Sequence, residues 1–363
     1  MKILFVGPIV ENSDVAKSEA VSPAANQWQL DLIQGLIENG VKVSVLSYLP
    51  EQAWPKGRLF VQNKQFINPN CSFTYVDYVN IPFFRFSILQ YKFVKGLISM
   101  CTSDENKPDF LITYNATEAN CAVGHYFQRK FDGKWISIIA DGYSEGKPDS
   151  EVFLSYGYFL KSQISKKLHL DGAPPTFQGE NVLLKTKKII IYSGSLDIWT
   201  GIEHFVKQFT ELNFPEFELH IYGKGQNKEI KRIADSNQNI SLKGFVSIVE
   251  LSNASKKAFA FVNPRPTHLP GVENNFPSKI LQYISFGKPI LSTKTKGISP
   301  LYDELLNYYD PQDITTLQKQ FLHLSTLTRV NLLDIFEKSK LFCERNTCKN
   351  HAAKIVVLCD TLE

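Results

Sequence analysis

Apolar residues along this chain come in short, nearly unbroken runs, each followed by a stretch of helical length in which they recur every three or four positions. A short apolar run bounded by turn formers is the pattern of a strand buried on both faces, and the longer stretches read as amphipathic helices that cover such strands. In the C-terminal half the alternation predicts strands over Lys188–Ser193, Phe217–Tyr222, Ile240–Lys243, Ala258–Asn263 and Pro289–Ser292. Helices are predicted between them over Gly201–Leu212, Gln226–Ser236, Ile248–Lys256 and Pro277–Phe286. Strands joined by helical crossovers in this way make a doubly wound α/β domain with a parallel sheet.

The N-terminal half repeats the plan, with strands at Lys2–Gly7, Val41–Tyr48, Phe110–Thr113 and Trp135–Ala140 and helices at Ala24–Asn39, Ser87–Cys101 and Thr117–Lys130. Between the halves, Asp141–Pro175 is rich in Gly, Ser, Tyr and Pro, and Gly172-Ala173-Pro174-Pro175 is its strongest breaker cluster. A hinge is expected there. The domains are accordingly drawn as 1–170 and 171–330, with a helical tail over 331–363 that returns to the first domain.

A chain of 363 residues accommodates two such domains. Hydrophobic residues at 43% and charged ones at 21% exclude the disordered and fibrous classes. Forty Lys and Arg against 36 Asp and Glu, without a block of like charge, do not point to nucleic acid. The mild positive excess leaves room for contact with anionic lipid or an anionic substrate. Six cysteines without a CxxC pair suggest neither a zinc site nor a disulfide framework, which fits a reducing compartment. No run reaches the ~20 apolar residues of a membrane span. The opening MKILFVGPIV is interrupted by Pro8 and reads as a first strand and not as a signal peptide. The expectation is a cytoplasmic protein whose membrane contact, if any, is peripheral and at the inner face.

Ligands of open α/β sheets bind beyond the carboxyl ends of the strands, and two such domains facing one another leave a cleft. Three predicted loops stand at such ends. Gly194-Ser195-Leu196 follows the first strand of the second domain, Gly223-Lys224-Gly225 the second, and PRPTHLPGVENN the fourth. Glycine lets backbone approach a ligand closely, and Lys224 has the reach to meet a phosphate. The third loop feeds a helix with Asn275 suited to the cap and Pro277 to the first position, so Pro277-Ser278-Lys279 offers backbone donors, a hydroxyl and an ammonium to one anion. A capped helix with a solvated lysine is the competing reading. Asp141 ends a strand of the first domain and is a catalytic candidate, with a turn or cap role of equal weight. His125 and His204 fall within helices and read as packing or surface residues, while His268 lies in the Pro-rich loop. GxGxxG after the first strand, GxSxG, HExxH, a Walker A loop and an Asp-x-Asp pair are all lacking, which disfavours NAD and a metal-bound diphosphate.

The run GVENNFPSKILQYISFGKPILST, with YSGSLDIWTGIEHF, HIYGKG and LKGFV before it, resembles the donor domain of the retaining GT-B-fold glycosyltransferases of family four, especially bacterial enzymes of exopolysaccharide and capsule assembly. SPAANQWQLDLIQGLIENGVKVSVL resembles that family's first helix and second strand, and HLDGAP its interdomain stretch. The resemblance implies an α/β GT-B fold of two Rossmann-like domains facing across a cleft, and a nucleotide-sugar-dependent hexosyltransferase. It implies a nucleoside diphosphate sugar as substrate, no cofactor, no metal, and a glycan or lipid-linked acceptor. Its positions put Gly194, Ser195 and Leu196 near the phosphates with Gly223, Lys224 and Gly225, and Phe245 and Val246 near the base. Asn274, Asn275, Phe276, Pro277, Ser278, Lys279 and Gln282 fall around the pyrophosphate and sugar, and Gly7 and Asn26 on the acceptor side. Asp141 and Lys279 are the catalytic candidates. Asn274 and Gln282 stand where the family has two glutamates, Ser195 and Thr200 where it has Arg and Lys, and Pro23-Ala24 where it has a Gly pair. A catalytically silent GT-B-like binding subunit is the alternative that these departures raise.

Overall fold

The computed structural model describes residues 1–11, 20–62, 71–102, 107–140, 146–180 and 188–363. The chain divides into two compact units, Met1–Ala173 with Thr347–Glu363, and Pro174–Asn346.

In unit 1 the chain forms β1 (Lys2–Val6), α1 (Pro23–Glu38), β2 (Lys42–Ser47), β3 (Phe60–Val61), β4 (Ser72–Tyr75), β5 (Tyr78–Val79) and α2 (Arg85–Met100). It continues through β6 (Phe110–Tyr114), α3 (Glu118–Phe131), β7 (Lys134–Ile139), β8 (Ser150–Phe153), α4 (Tyr156–Lys161) and β9 (Lys167–His169). Among the described residues, seven strands pair in the order β4-β2-β1-β6-β7-β8-β9, all parallel, while β3 and β5 form a separate antiparallel ribbon. Successive residues of a strand face opposite sides. In β1, Ile3 and Phe5 pack into one apolar layer with Leu32 and Leu36 of α1, and Leu4 and Val6 into another with Phe93 of α2 and Phe127 of α3. An unbroken apolar run is what a strand covered on both faces requires.

Unit 2 contains β10 (Lys188–Ser193), α5 (Ile202–Leu212), β11 (Phe217–Tyr222), α6 (Lys228–Asp235), β12 (Ile240–Gly244), α7 (Ile248–Lys257), β13 (Ala260–Asn263), α8 (Lys279–Ile284), β14 (Ile290–Thr293), β15 (Asn307–Tyr309), α9 (Ile314–Thr326) and α10 (Arg329–Arg345). Its strands pair in parallel in the order β12-β11-β10-β13-β14-β15. The order reverses direction between β10 and β13, so the crevice of a doubly wound sheet opens beyond Ser193 and Asn263. Again the central strand splits by parity: Ile190 and Tyr192 join the layer of Phe205, Phe209 and Phe321, and Ile191 that of Ile280 and Ile284.

Two expectations change. Asp141–Pro175 is not a bare linker, because β8 and β9 within it extend the sheet of unit 1, and the change of unit falls at Ala173/Pro174. The short runs Ser150–Phe153 and Lys167–His169 carry too little apolar sequence to be seen among Gly, Ser and Tyr. The tail also divides: α10 stays with unit 2, and only α11 (Cys348–Asp360) belongs to unit 1. There Ala352 and Ile355 are fully buried against the layer of α1. The contact is close enough that a Cβ on Gly35 would lie 2.3 Å from the Cys348 carbonyl oxygen.

Candidate functional site

The carboxyl ends of β10 and β13 converge with the start of α8. Tyr283 of α8 is completely buried, stacks on Phe261 of β13 at 4.5 Å, and places its hydroxyl 3.0 Å from the Ser193 backbone N–H and 3.2 Å from the Ser193 hydroxyl. That ring locks α8 to the end of β10 and so fixes the root of Lys279.

From there the Lys279 side chain crosses the loop after β10. Its Nζ lies 5.0 Å from the Tyr192 ring centroid and 1.5 Å from where a Cβ on Gly194 would stand. Glycine is therefore needed at 194 because the ammonium occupies the space of any side chain. Gly223 closes the same corner: its φ is +153°, and a Cβ there would lie 1.5 Å from the Gly194 carbonyl oxygen. Backbone hydrogen bonds from Gly194 to Tyr222, from Leu196 to Lys224 and from Gly223 to Gly244 hold these loops side by side.

A second cation meets Lys279 there. Arg265 leaves the loop two residues beyond β13, between two prolines, and its carbonyl accepts a hydrogen bond from the Thr293 hydroxyl at 2.6 Å. Burial first, and the positive charge of Arg265 second, lower the Lys279 pKa to about 8. Burial likewise lowers that of Arg265, opposed by Tyr192. Among the described residues neither side chain has a carboxylate partner. Two half-buried, unpaired cations on a glycine loop at a switch point are arranged for a polyanion, since removing cations from water without a counter-charge is costly. Arg265 was not among the residues singled out from sequence. Its position just past a strand end, the same criterion that selected Gly194, would have found it.

The other candidates separate. Lys224 lies at the rim, its Nζ 4.4 Å from the centroid of the Phe245 ring, which is 70% exposed; Gly225 packs beside Leu196. Val246 packs partly buried against the apolar layer of α8, and the Phe276 ring lies tilted against Tyr302 at 5.4 Å. Asn275 does not cap the helix: the cap position is Ser278, without a side-chain bond, and the Pro277 and Ser278 carbonyls already accept from Ile280 and Leu281. The helix is thus shorter than the apolar pattern suggested and its anion affinity rests on side-chain charge. Asn274 is buried and donates to Glu273 at 3.2 Å, and Glu273 in turn pairs with Lys296 at 3.1 Å. Gln282 is partly exposed. His268 is exposed and shares a 3.0 Å contact with Gln312, whereas His125 and His204 are tied to the Gly146 and Pro311 carbonyls.

In unit 1, Asp141 lies outside the described residues. Asn26 is buried and clamps the loop after β1 through two bonds to the Val10 backbone, at 2.9 and 3.0 Å, so its role there is to hold backbone and not to meet a ligand. Gly7 is filled by Gln29, whose Oε1 would lie 2.2 Å from a Cβ at that position. Unit 1 has its own concavity of about 470 Å³ beyond the ends of β2 and β4, lined by Tyr48, Glu51, Lys56, Tyr78, Arg85 and Phe86.

Residues 187–326 match the family model described as glycosyl transferases group 1. No curated protein matches the chain. Among solved structures, sucrose-phosphate synthase from Thermosynechococcus elongatus is similar at 14% identity and a TM-score of 0.67, covering 99% of this chain and 98% of its own. The apo form of the lipopolysaccharide outer core galactosyltransferase WaaB is similar at 15% identity and 0.66, covering 99% of each. A trehalose-6-phosphate protein from E. coli bound with UDP-2-fluoro glucose is similar at 9% identity and 0.67, covering 99% of each. At these identities the likeness is one of fold, the two-domain α/β GT-B fold.

Proposed function

We propose that this chain, a glycosyltransferase by its group 1 domain, takes a hexosyl group from a nucleoside diphosphate sugar held on unit 2 and transfers it to a glycan or lipid-linked acceptor held by unit 1. The observation that carries the donor is Lys279 over the Gly194 loop with the charge of Arg265 acting on it, neither cation having a carboxylate partner among the described residues. A leaving diphosphate gains negative charge as the glycosidic bond breaks, and preorganised cations in a partly dry site stabilise that charge more than they stabilise the bound substrate. Lys224 and the exposed Phe245 ring offer a flat cationic edge that suits a base or ribose at the rim.

Transfer is taken as retaining, as the resemblance implies. The acceptor oxygen bonds to the anomeric carbon on the face the diphosphate leaves, and the hydroxyl proton passes to a departing phosphate oxygen. The protein then supplies position and charge without a carboxylate nucleophile, so Asn274 and Gln282 are compatible with turnover. Metal independence belongs to the same proposal: among the described residues no three His, Cys, Asp or Glu side chains gather to hold an ion, and the two cations supply the counter-charge. Work on surface polysaccharide is the setting that best fits an acceptor of this class.

The test is a thermal-shift panel of UDP, GDP and ADP against the free nucleosides, followed by transfer from the matching sugar nucleotides in excess EDTA. One diphosphate should stabilise by about 2.7 kcal/mol at a hundred times its dissociation constant. Transfer should survive chelation with the anomeric configuration kept. No stabilisation by any diphosphate overturns the donor assignment, and activity that depends on added manganese overturns metal independence.

A further inference from the structure

On unit 1, the segment 50–62 and the segment 76–86 form one lobe beside the start of α2. Trp54 donates to the Asn80 carbonyl at 3.2 Å, the Asn80 amide donates to Gln52 and Arg58, β3 pairs with β5, and Arg85 reaches the Glu51 carbonyl. This hydrogen-bonded lobe is well built, yet it carries large apolar side chains outward. Phe83 is 93% exposed, Phe60 and Phe84 are each 66% exposed, and Trp54, Ile81 and Phe86 are exposed with them. Isolated exposed apolar residues need no explanation, but six of them on one hydrogen-bonded lobe point to a contact surface. Phe83 also holds a φ of +70°, an uncommon and costly conformation for a bulky residue, with its ring directed into solvent.

Charge decides what the surface fits. Segments 50–62 and 76–100 hold Lys56, Arg58, Arg85, Lys92 and Lys95 against Glu51 and Asp77, an excess of three in a chain whose whole formal excess is four. Glu51 is engaged by Arg58 and Asp77 by Lys92, which leaves Lys56, Arg85 and Lys95 without a salt bridge of their own among the described residues, Lys95 acting on Asp77 only at longer range. A second copy of so basic a patch would be repelled. An anionic lipid interface accepts both parts, the aromatic rings at the headgroup boundary and the cations above it.

We propose that this aromatic lobe docks unit 1 on an anionic lipid bilayer. The docking rests on the transferase reading only for its purpose, which is to meet an acceptor anchored in that bilayer; the binding itself can be measured without transfer. Sedimentation of the full chain with vesicles of phosphatidylcholine alone, or with about a third phosphatidylglycerol, tests it at an ionic strength near 0.1 M. Wild-type protein should pellet with the anionic vesicles and stay in solution with the neutral ones. Phe83→Ser with Phe84→Ser should weaken that binding by about tenfold or more, and Lys56→Glu with Lys95→Glu should do the same while leaving the rings in place. Stabilisation by nucleoside diphosphate, read on the same samples, reports whether unit 2 is folded and the donor site is intact. Wild type that remains in solution with anionic vesicles overturns the proposal, as do double variants that bind like wild type. Concentration-dependent self-association abolished by the Phe83/Phe84 pair would assign the patch to a second copy and overturn it too.

Discussion

Replacing Lys279 by methionine keeps the length of the side chain and its place over the Tyr192 ring while removing the charge. In the folded protein the lysine pKa falls from 10.5 to about 8, through burial first and Arg265 second. At about 1.4 kcal/mol per pH unit this corresponds to roughly 3 kcal/mol by which the site disfavours its own ammonium. Because the folded pKa lies below the unfolded one, that cost is complete below pH 8 and disappears as pH rises toward 10.5. At pH 7, Lys279→Met should therefore be more stable than wild type by up to about 3 kcal/mol, or several degrees in the melting of unit 2. The methionine sulfur over Tyr192 adds a further small gain. In the same variant, stabilisation by nucleoside diphosphate should vanish while any response to the free nucleoside persists. Differential scanning fluorimetry with and without ligand at pH 7 and pH 10 reads all of this, and the stability gain should shrink at the higher pH. A variant that melts at or below the wild-type temperature, or that diphosphate still stabilises, refutes the reasoning.

Gly194→Ala should cost about 1–3 kcal/mol, because the new Cβ meets the Lys279 ammonium and also the hydroxyl of buried Tyr192 at 2.8 Å, and should weaken diphosphate binding about tenfold by displacing the ammonium. Gly223→Ala meets backbone at φ +153° and should cost about 2–4 kcal/mol, read by urea unfolding. Diphosphate affinity from calorimetry should be flat below pH 8 and fall by up to about tenfold per pH unit above it, since binding must then reprotonate Lys279. Asn274→Glu puts a carboxylate into a buried position beside Glu273 and should destabilise by about 2–4 kcal/mol, whereas Gln282→Glu, partly exposed, should stay within about 0.5 kcal/mol.

The strands that run through the middle of each sheet were legible because burial on both faces demands an unbroken apolar sequence, as in Ile189-Ile190-Ile191 or Ile3-Leu4-Phe5. Ile240–Gly244 was legible at one edge as well, but the other three edge strands were not. Ser72–Tyr75, Lys167–His169 and Asn307–Tyr309 mix polar with apolar residues, and what makes them strands is pairing to a neighbour, which local sequence does not carry. The glycine loops of the site were legible for a topological reason: they follow predicted strands, and ligands gather at those ends. The burial of Asn274 was not, because it depends on the loop after β14. A Cβ on Gly297 there would lie 2.4 Å from the Asn275 carbonyl oxygen and 2.8 Å from that of Asn274. Arg265 lies within the legible loop PRPTHLPGVENN, but nothing in the local sequence says that its charge comes to act on Lys279.

On the proposed donor reading, the cations missing from the loop after β10 have a geometric answer. Where the resembled family carries Arg and Lys, this chain has Ser195 and Thr200, and a motif comparison counts two losses. Stabilisation of a diphosphate depends on how far charge lies from its oxygens and how dry the space between them is, and not on which loop supplies the charge. β10 and β13 are hydrogen-bonded neighbours, with Ile191 beside Phe261, and adjacent strands lie about 4.8 Å apart. Moving a cation from the loop after β10 to the loop after β13 displaces its root by one strand spacing, less than the length of an arginine side chain. Gly194, kept bare by the Lys279 ammonium, lies beside that path. Burial first and Arg265 second depress Lys279, so on the proposed reading an anion beside both cations would relieve their repulsion and gain binding energy.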